Sequence, residues 1–195
     1  MQHVCNIYLT ENFVNLAERL SKIAPGQLQK AFFCSTGTEA NEGAALLATI
    51  YTGSSEFICL RNGLHGRTKL TMSMTGIGMW RTDPNPVGGI SFAPNPYCYR
   101  CPLGKTYPEC DLACANAVED IIKTNTSGKV AAFFAEPIQG NAGIITPPPG
   151  YFQRLKEILD KYNILLVVDE VQTGFGRTGK MFAIDNFNIV PDIMT

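Results

Sequence analysis

Apolar positions along the chain fall into two patterns, one spaced for helices and one run together as in buried strands. Phe13, Leu16, Ala17, Leu20 and Ile23 recur at helical spacing, and Pro25-Gly26 ends that pattern. The short apolar run Ala31-Phe32-Phe33-Cys34 predicts a strand. Ser35-Thr36-Gly37-Thr38 then leads into an alanine- and leucine-rich helix from Glu39 to Tyr51, closed by Gly53. Glu56 to Leu60 is predicted as a strand, and proline and glycine punctuate the long segment from Pro84 to Pro108. A helix from near Asp111 to Lys123 precedes a strand from Val130 to Ala135. A helix from Tyr151 to Tyr162, with Leu155, Ile158 and Leu159 on one face, precedes a strand from Ile164 to Asp169. Strands that are apolar throughout and alternate with helices need cover on both faces. The predicted fold class is therefore α/β, with a mostly parallel sheet flanked by helices.

Composition narrows the range of functions. Sixteen basic residues against seventeen acidic ones give the 195-residue chain a net charge of −1, and only 17% of residues are charged. The usual share is about 25%. This balance disfavours a nucleic-acid-binding or disordered chain. With 45% apolar residues and few charges to cover them, some surface is expected to be buried against another chain or against further parts of the same one. Met1-Gln2-His3-Val4 carries no basic segment followed by an apolar run, and nothing approaches the ~20 apolar residues of a membrane span. A cytoplasmic protein with no membrane partner is expected. Seven cysteines without an export signal favour reduced thiols or metal over disulfides. The ends do not look like domain ends: Met1 falls just ahead of a helix, and Ile193-Met194-Thr195 stops inside an apolar segment that has only begun.

Five segments carry candidate chemistry. Ser35 to Asn41 lies between a predicted strand and a helix, where free N–H groups and the positive helix end suit an anion such as phosphate; an ordinary helix cap is the alternative. Asp169-Glu170 closes an apolar strand at the carboxyl edge of the sheet, where open α/β folds bind ligands. That acid could hold Mg²⁺ in a nucleotide hydrolase, hold a proton on the ring nitrogen of a cofactor, or simply sit in a turn. Gly174 to Lys180 matches two phosphate fingerprints at once, but it starts late after its strand, no helical periodicity follows, and Met181 offers no hydroxyl to Mg²⁺; a glycine turn fits better. Cys98-x2-Cys101 and Cys110-x3-Cys114 are spaced so that four thiolates could surround one zinc ion or an iron–sulfur cluster, or pack a loop as thiols. Leu64-His65-Gly66-Arg67-Thr68 also follows a strand. There Arg67 could fork onto a carboxylate and His65 could lie against a flat ring.

Taken in this order, these segments resemble the class III (ω-amino acid) aminotransferases, pyridoxal-phosphate enzymes of fold type I. The family's Gly-Thr-Glu-Ala-Asn turn, its His-Gly-Arg-Thr turn, its Glu-Pro-Ile-Gln-Gly turn and its Asp-Glu-Val-Gln-x-Gly-x-Gly-Arg-x-Gly segment stand here at 37–41, 65–68, 136–140 and 169–179. The resemblance implies that Gly37 and Thr38 bind the phosphate of pyridoxal 5′-phosphate. It implies that Asp169 is the catalytic carboxylate that keeps the pyridine nitrogen protonated, so that the ring can absorb electrons. Val171 would pack on one ring face with His65 near the other, and Gln172 would meet the ring hydroxyl. Arg67 would receive a substrate carboxylate, and Glu136, with Gln139, would orient the substrate side of the site. Amino acid and 2-oxo acid substrates and a homodimer are implied too.

Three departures qualify the resemblance. Leu64 stands where the family has an aromatic residue, and Asn141 stands where the 4-aminobutyrate and ornithine enzymes have Glu. The second points toward an alanine–glyoxylate-like or other ω-amino acid type. The family's Schiff-base lysine follows a Pro-Asp-Ile segment, and here the sequence reaches only Pro191-Asp192-Ile193-Met194-Thr195. Residues 1–195 are thus expected to be part of a pyridoxal-phosphate-binding large domain, without the N-terminal segment, the lysine region and the C-terminal domain. An alternative is a truncated, non-catalytic relative acting as a phosphate- or metal-binding module.

Overall fold

The computed structural model describes residues 7–195, so the reading of Met1 to Val4 lies outside the described residues. Helix α1, Glu11–Ile23, starts after extended Thr10 and buries none of its residues. Helix α2, Gly37–Thr52, is capped by Thr36, whose side chain accepts the Glu39 N–H at 3.1 Å. It ends at Gly53 in the left-handed conformation, φ 68°. Strand β1 spans Glu56–Leu60, helix α3 Lys69–Met74, strand β2 Ile90–Ala93 and helix α4 Ala113–Thr124. Strand β3, Val130–Ala135, helix α5, Tyr151–Lys161, and strands β4, Leu165–Val168, and β5, Ile193–Met194, complete the order.

The five strands form one sheet in the order β2-β1-β3-β4-β5, and every pairing is parallel. Alternation along each strand sends side chains to both faces, and both are buried. Ile58, Leu60, Phe133, Ala135, Leu166 and Val168 face α4 and α5, joining Val118, Ile122, Phe152, Leu155 and Leu159. Phe57, Cys59, Ala132, Phe134 and Val167 face the other way, onto Ala44, Ala45 and Ala48 of α2 and Met74 of α3. The outer side of α2 is a different surface, with Leu46, Leu47, Ile50 and Tyr51 exposed. Thus the α/β class, the parallel sheet and its flanking helices are as the sequence predicts.

Some local expectations are corrected. Residues 31–34 form no strand, and Phe32 is 74% exposed. A strand exists only through its ladder, and no described strand lends this run an edge. Helix α3 and edge strand β2 are elements the apolar pattern did not reveal, and a 3-10 turn, Ala183–Phe187, follows the glycine-rich segment. That segment is itself a series of turns, with Phe175, Gly176 and Gly179 at positive φ. Among the described residues no helix is long and apolar enough to cross a membrane.

Candidate functional site

Strands β1, β3 and β4 end at Leu60, Ala135 and Val168, and the turns that follow meet the start of α2 along one sheet edge. This carboxyl edge is where open parallel sheets bind ligands. Asp169, the first residue past β4, is 4% exposed. Its Oδ2 accepts the Asn41 amide at 2.8 Å and faces His65 Nδ1 at 2.9 Å. An ionised carboxylate only accepts, so that ring nitrogen carries the hydrogen. Oδ1 accepts the Val171 N–H at 3.1 Å and retains a second lone pair.

His65 is buried beside this carboxylate, edge-on to Phe134 with centroids 5.8 Å apart. Its side chain has no exposed surface, so the ring has no free face to lay against a flat ligand. In this structure the His65 ring is turned to Asp169. Its Nε2 is buried and finds no partner among the described residues.

At the start of α2, the Glu39 N–H is used by the Thr36 cap and the Ala40 N–H by the Thr36 carbonyl. The N–H groups of Gly37 and Thr38 have no protein acceptor among the described residues. A Cβ on Gly37 would lie 2.6 Å from Val171 Cγ2, so glycine is what lets the turn after β4 approach the helix end. Gly66, at φ 144°, lies against Thr38 in the same way, since a Cβ there would stand 2.7 Å from Thr38 Oγ1. The His-Gly-Arg turn, the helix start and the Asp169 turn therefore meet at one point.

Glu136 ties two of these turns together. Its carboxylate accepts the Leu64 N–H at 2.9 Å and the Gly140 N–H at 3.0 Å. Burial raises its pKa above the ordinary 4.5, against the opposing pull of His65 and of those two N–H groups. Gln139 donates to the Arg61 carbonyl at 2.9 Å and accepts from Asn95 at 3.2 Å. The Glu136 carboxylate and the NH₂ of Gln139 are thus spent on holding backbone. Glu170 likewise accepts the Ile184 N–H at 2.8 Å and the Thr173 hydroxyl at 2.5 Å.

Other candidates lie at the rim. Arg67 is exposed, with its guanidinium 4.9 Å from the centre of the Trp80 ring. Val171 is 55% exposed, and Gln172 is exposed with its side chain over Gly140. Cys98, Cys101, Cys110 and Cys114 line one cavity of about 10 Å³. Among the described residues, however, no group of three or more His, Cys, Asp or Glu side chains is placed to hold a metal ion. Burial, then the neighbouring Cys110 and Cys101, pushes the Cys98 thiol up, and burial raises Cys114 to about 11. Thiols so perturbed stay protonated near neutral pH.

Asn41 is the residue whose importance the sequence did not reveal. It is 1% exposed, donates to the His65 carbonyl and to Asp169, both at 2.8 Å, and accepts the Thr195 hydroxyl at 2.9 Å. Its place in Gly37-Thr38-Glu39-Ala40-Asn41, on the inner side of a helix start, was the only available signal.

The comparisons with known proteins agree with one another. A family model described as aminotransferase class-III matches residues 1–195. The chain is 42% identical over 186 residues to the leucine/methionine racemase of Thermococcus litoralis, covering 92% of this chain and 41% of that protein. It is 37% identical over 195 residues to the mitochondrial alanine–glyoxylate aminotransferase 2 homolog 2 of Arabidopsis thaliana, covering 100% of this chain and 40% of that one. The crystal structure of the omega transaminase from Pseudomonas jessenii in complex with PMP superposes with a TM-score of 0.90 at 33% identity, covering 98% of this chain and 44% of that one. The chain thus spans about two-fifths of the length of the curated relatives it matches.

Proposed function

The chain belongs to the class III aminotransferases, and on that premise we propose that the protein carrying it moves an amino group from an ω-amino acid or alanine to a 2-oxo acid through pyridoxal 5′-phosphate. The observation that carries this reading is Asp169. It is a buried carboxylate with Oδ2 fully engaged and one lone pair of Oδ1 left open, close to a helix start with two unengaged N–H groups. The donor set fits the cofactor. A phosphate needs hydrogen-bond donors, supplied by Gly37 and Thr38, and a pyridinium N–H needs an acceptor, supplied by Asp169 Oδ1.

When bound, pyridoxal phosphate would supply an electron sink for the substrate carbon beside the nitrogen. Asp169 keeps the ring nitrogen protonated, which is what makes the ring an electron sink. Val171 would cover one ring face, and Gln172 would hold the ring hydroxyl. Arg67 moves from Trp80 to pair with the substrate carboxylate. Glu136 holds the turns at 64 and 140 at fixed separation, so that its part in substrate binding is exerted through backbone. The family's cofactor-bearing lysine follows a Pro-Asp-Ile segment, which stands here at 191–193, and in this reading the complete protein supplies it. The exposed apolar face of α2, with Leu46, Leu47, Ile50 and Tyr51, supports a homodimer.

The 42% identity to a racemase supports a second reading, in which the proton returns to the same carbon and no amino group leaves. One experiment separates the two. The intact protein with pyridoxal phosphate is given L-alanine together with a 2-oxo acid. Transamination yields a new amino acid from the 2-oxo acid; racemisation yields the D-enantiomer of the donor with the 2-oxo acid untouched. Failure to bind pyridoxal or pyridoxamine phosphate would sink both.

A further inference from the structure

We infer that Asn41 is a positioning residue for Asp169: the two N–H bonds of its amide join the carboxylate to the His65 turn, and together with His65 it leaves Oδ1 as the oxygen offered to a bound ring nitrogen. The inference rests on the reading of the site as a pyridoxal-phosphate site.

Asparagine is a poor helix former, because its side chain competes for the backbone. A buried amide also costs free energy unless its polar atoms are bonded. Asn41 lies inside α2 at 1% exposure with both amide hydrogens and its oxygen engaged, so it is retained for what it holds. Its three partners come from three segments: Asp169 after β4, the His65 carbonyl after β1, and the Thr195 hydroxyl after β5. The helix start that would donate to a phosphate is therefore tied by one side chain to the carboxylate that would meet the ring nitrogen. Aspartate at 41 would keep the shape but lose the donors. Glutamine would overreach by one methylene. An amide also does not titrate in the working range, so this donor is present at every pH at which the site is used.

Pyridoxamine phosphate is the probe, since it binds without a covalent link to lysine. The intact protein is titrated with it, and the pyridine nitrogen is followed with ¹⁵N label, whose shift separates the protonated from the unprotonated ring. Asn41→Leu is expected to weaken binding about tenfold or more, the value of one hydrogen bond to a charged group, and to move the nitrogen signal toward the unprotonated position. Asn41→Asp is expected to bind as weakly at neutral pH and to recover relative to the unmodified protein on acidification, as the new carboxylic acid regains a donor. Because it matches the amide in shape, it decides the question even if Asn41→Leu does not fold. Thr195→Val cuts only the bond on the far side of the amide and should leave the nitrogen signal in place. Wild-type affinity and nitrogen signal in Asn41→Asp, or an equal nitrogen shift in Thr195→Val, would overturn the inference. No binding by the unmodified protein would instead overturn the functional reading beneath it.

Discussion

His65 Nδ1 stands 2.9 Å from Asp169 Oδ2, and the two side chains are 0% and 4% exposed. Removing the ring leaves a buried carboxylate short of one hydrogen-bond donor, at the desolvation cost of that group. His65→Leu is therefore expected to destabilise the protein by about 1–3 kcal/mol. Urea unfolding monitored by circular dichroism checks this. A loss below 1 kcal/mol would mean that Asp169 finds other support.

Glu136 makes stability depend on pH in a definite direction. Its folded pKa is raised by burial, so the folded state holds this proton more tightly than the unfolded chain does. Its contribution is fully present below the ordinary value of 4.5 and is lost as pH rises through the raised folded value. Glu136→Gln removes that slope, but it also leaves either the Leu64 or the Gly140 N–H facing an amide NH₂. The expected cost is roughly 1–3 kcal/mol at neutral pH, and larger relative to the unmodified protein near pH 4.5, where the protonated acid contributes in full. Unfolding midpoints of both proteins from pH 4.5 to 8 provide the check.

Gly37→Ala tests the contact between the helix start and the turn after β4. The new methyl would meet Val171 Cγ2 at 2.6 Å, so helix and turn must separate. About 1–3 kcal/mol of overpacking is expected, together with weaker binding of pyridoxamine phosphate. Val171→Ala in the same chain should restore much of the stability. If the double variant is no better than the single one, the two residues do not clash.

Arg67 and Trp80 offer an optical readout, because Trp80 is the only tryptophan in the sequence. A guanidinium 4.9 Å from the ring centre perturbs indole emission. Titration with a simple carboxylate such as propionate should change that emission as Arg67 leaves the ring. In Arg67→Ala the response should vanish, with stability lowered by no more than about 1 kcal/mol. An unchanged response in that variant would show that the ligand acts elsewhere.

Ile50 is 70% exposed on the apolar outer side of α2. If that side is a subunit contact, Ile50→Glu buries a charge without a partner and should shift the intact protein toward monomer. Sedimentation at several concentrations would detect it. Equal association by both proteins would remove α2 from the contact.

The sequence made the sheet legible because fully buried parallel strands leave unbroken apolar runs, as at Val130 to Ala135, and the acid ending the next run marked the edge where the site lies. The run at 31–34 shows where this reasoning fails. Four apolar residues report a preference, while a strand also requires a neighbour with a free edge. Strand β2, with Ser91 in its middle and three of its four residues only half-buried, carries too weak a pattern to stand out. At the site, Asp169 and the Gly37 turn could be located because each sits at the end of a regular element. The orientation of His65 and the task of Asn41 could not. Each depends on contacts across more than a hundred residues, and spacing along the chain is silent on which way a ring or amide points.

The three buried alanines of α2 have a mechanical consequence. Ala44, Ala45 and Ala48 pack the helix onto the face of the sheet that carries Ala132 and Phe134 of β3, and the same rigid rod carries Gly37 and Thr38 at its tip. Any larger side chain at those positions acts as a wedge under the rod, lifting its tip away from Asp169. Drift at these inconspicuous small residues, well removed from the chemistry, would thus detune cofactor binding as surely as a change in the site itself. A repertoire of variants selected for altered cofactor retention should therefore include changes at the foot of this helix.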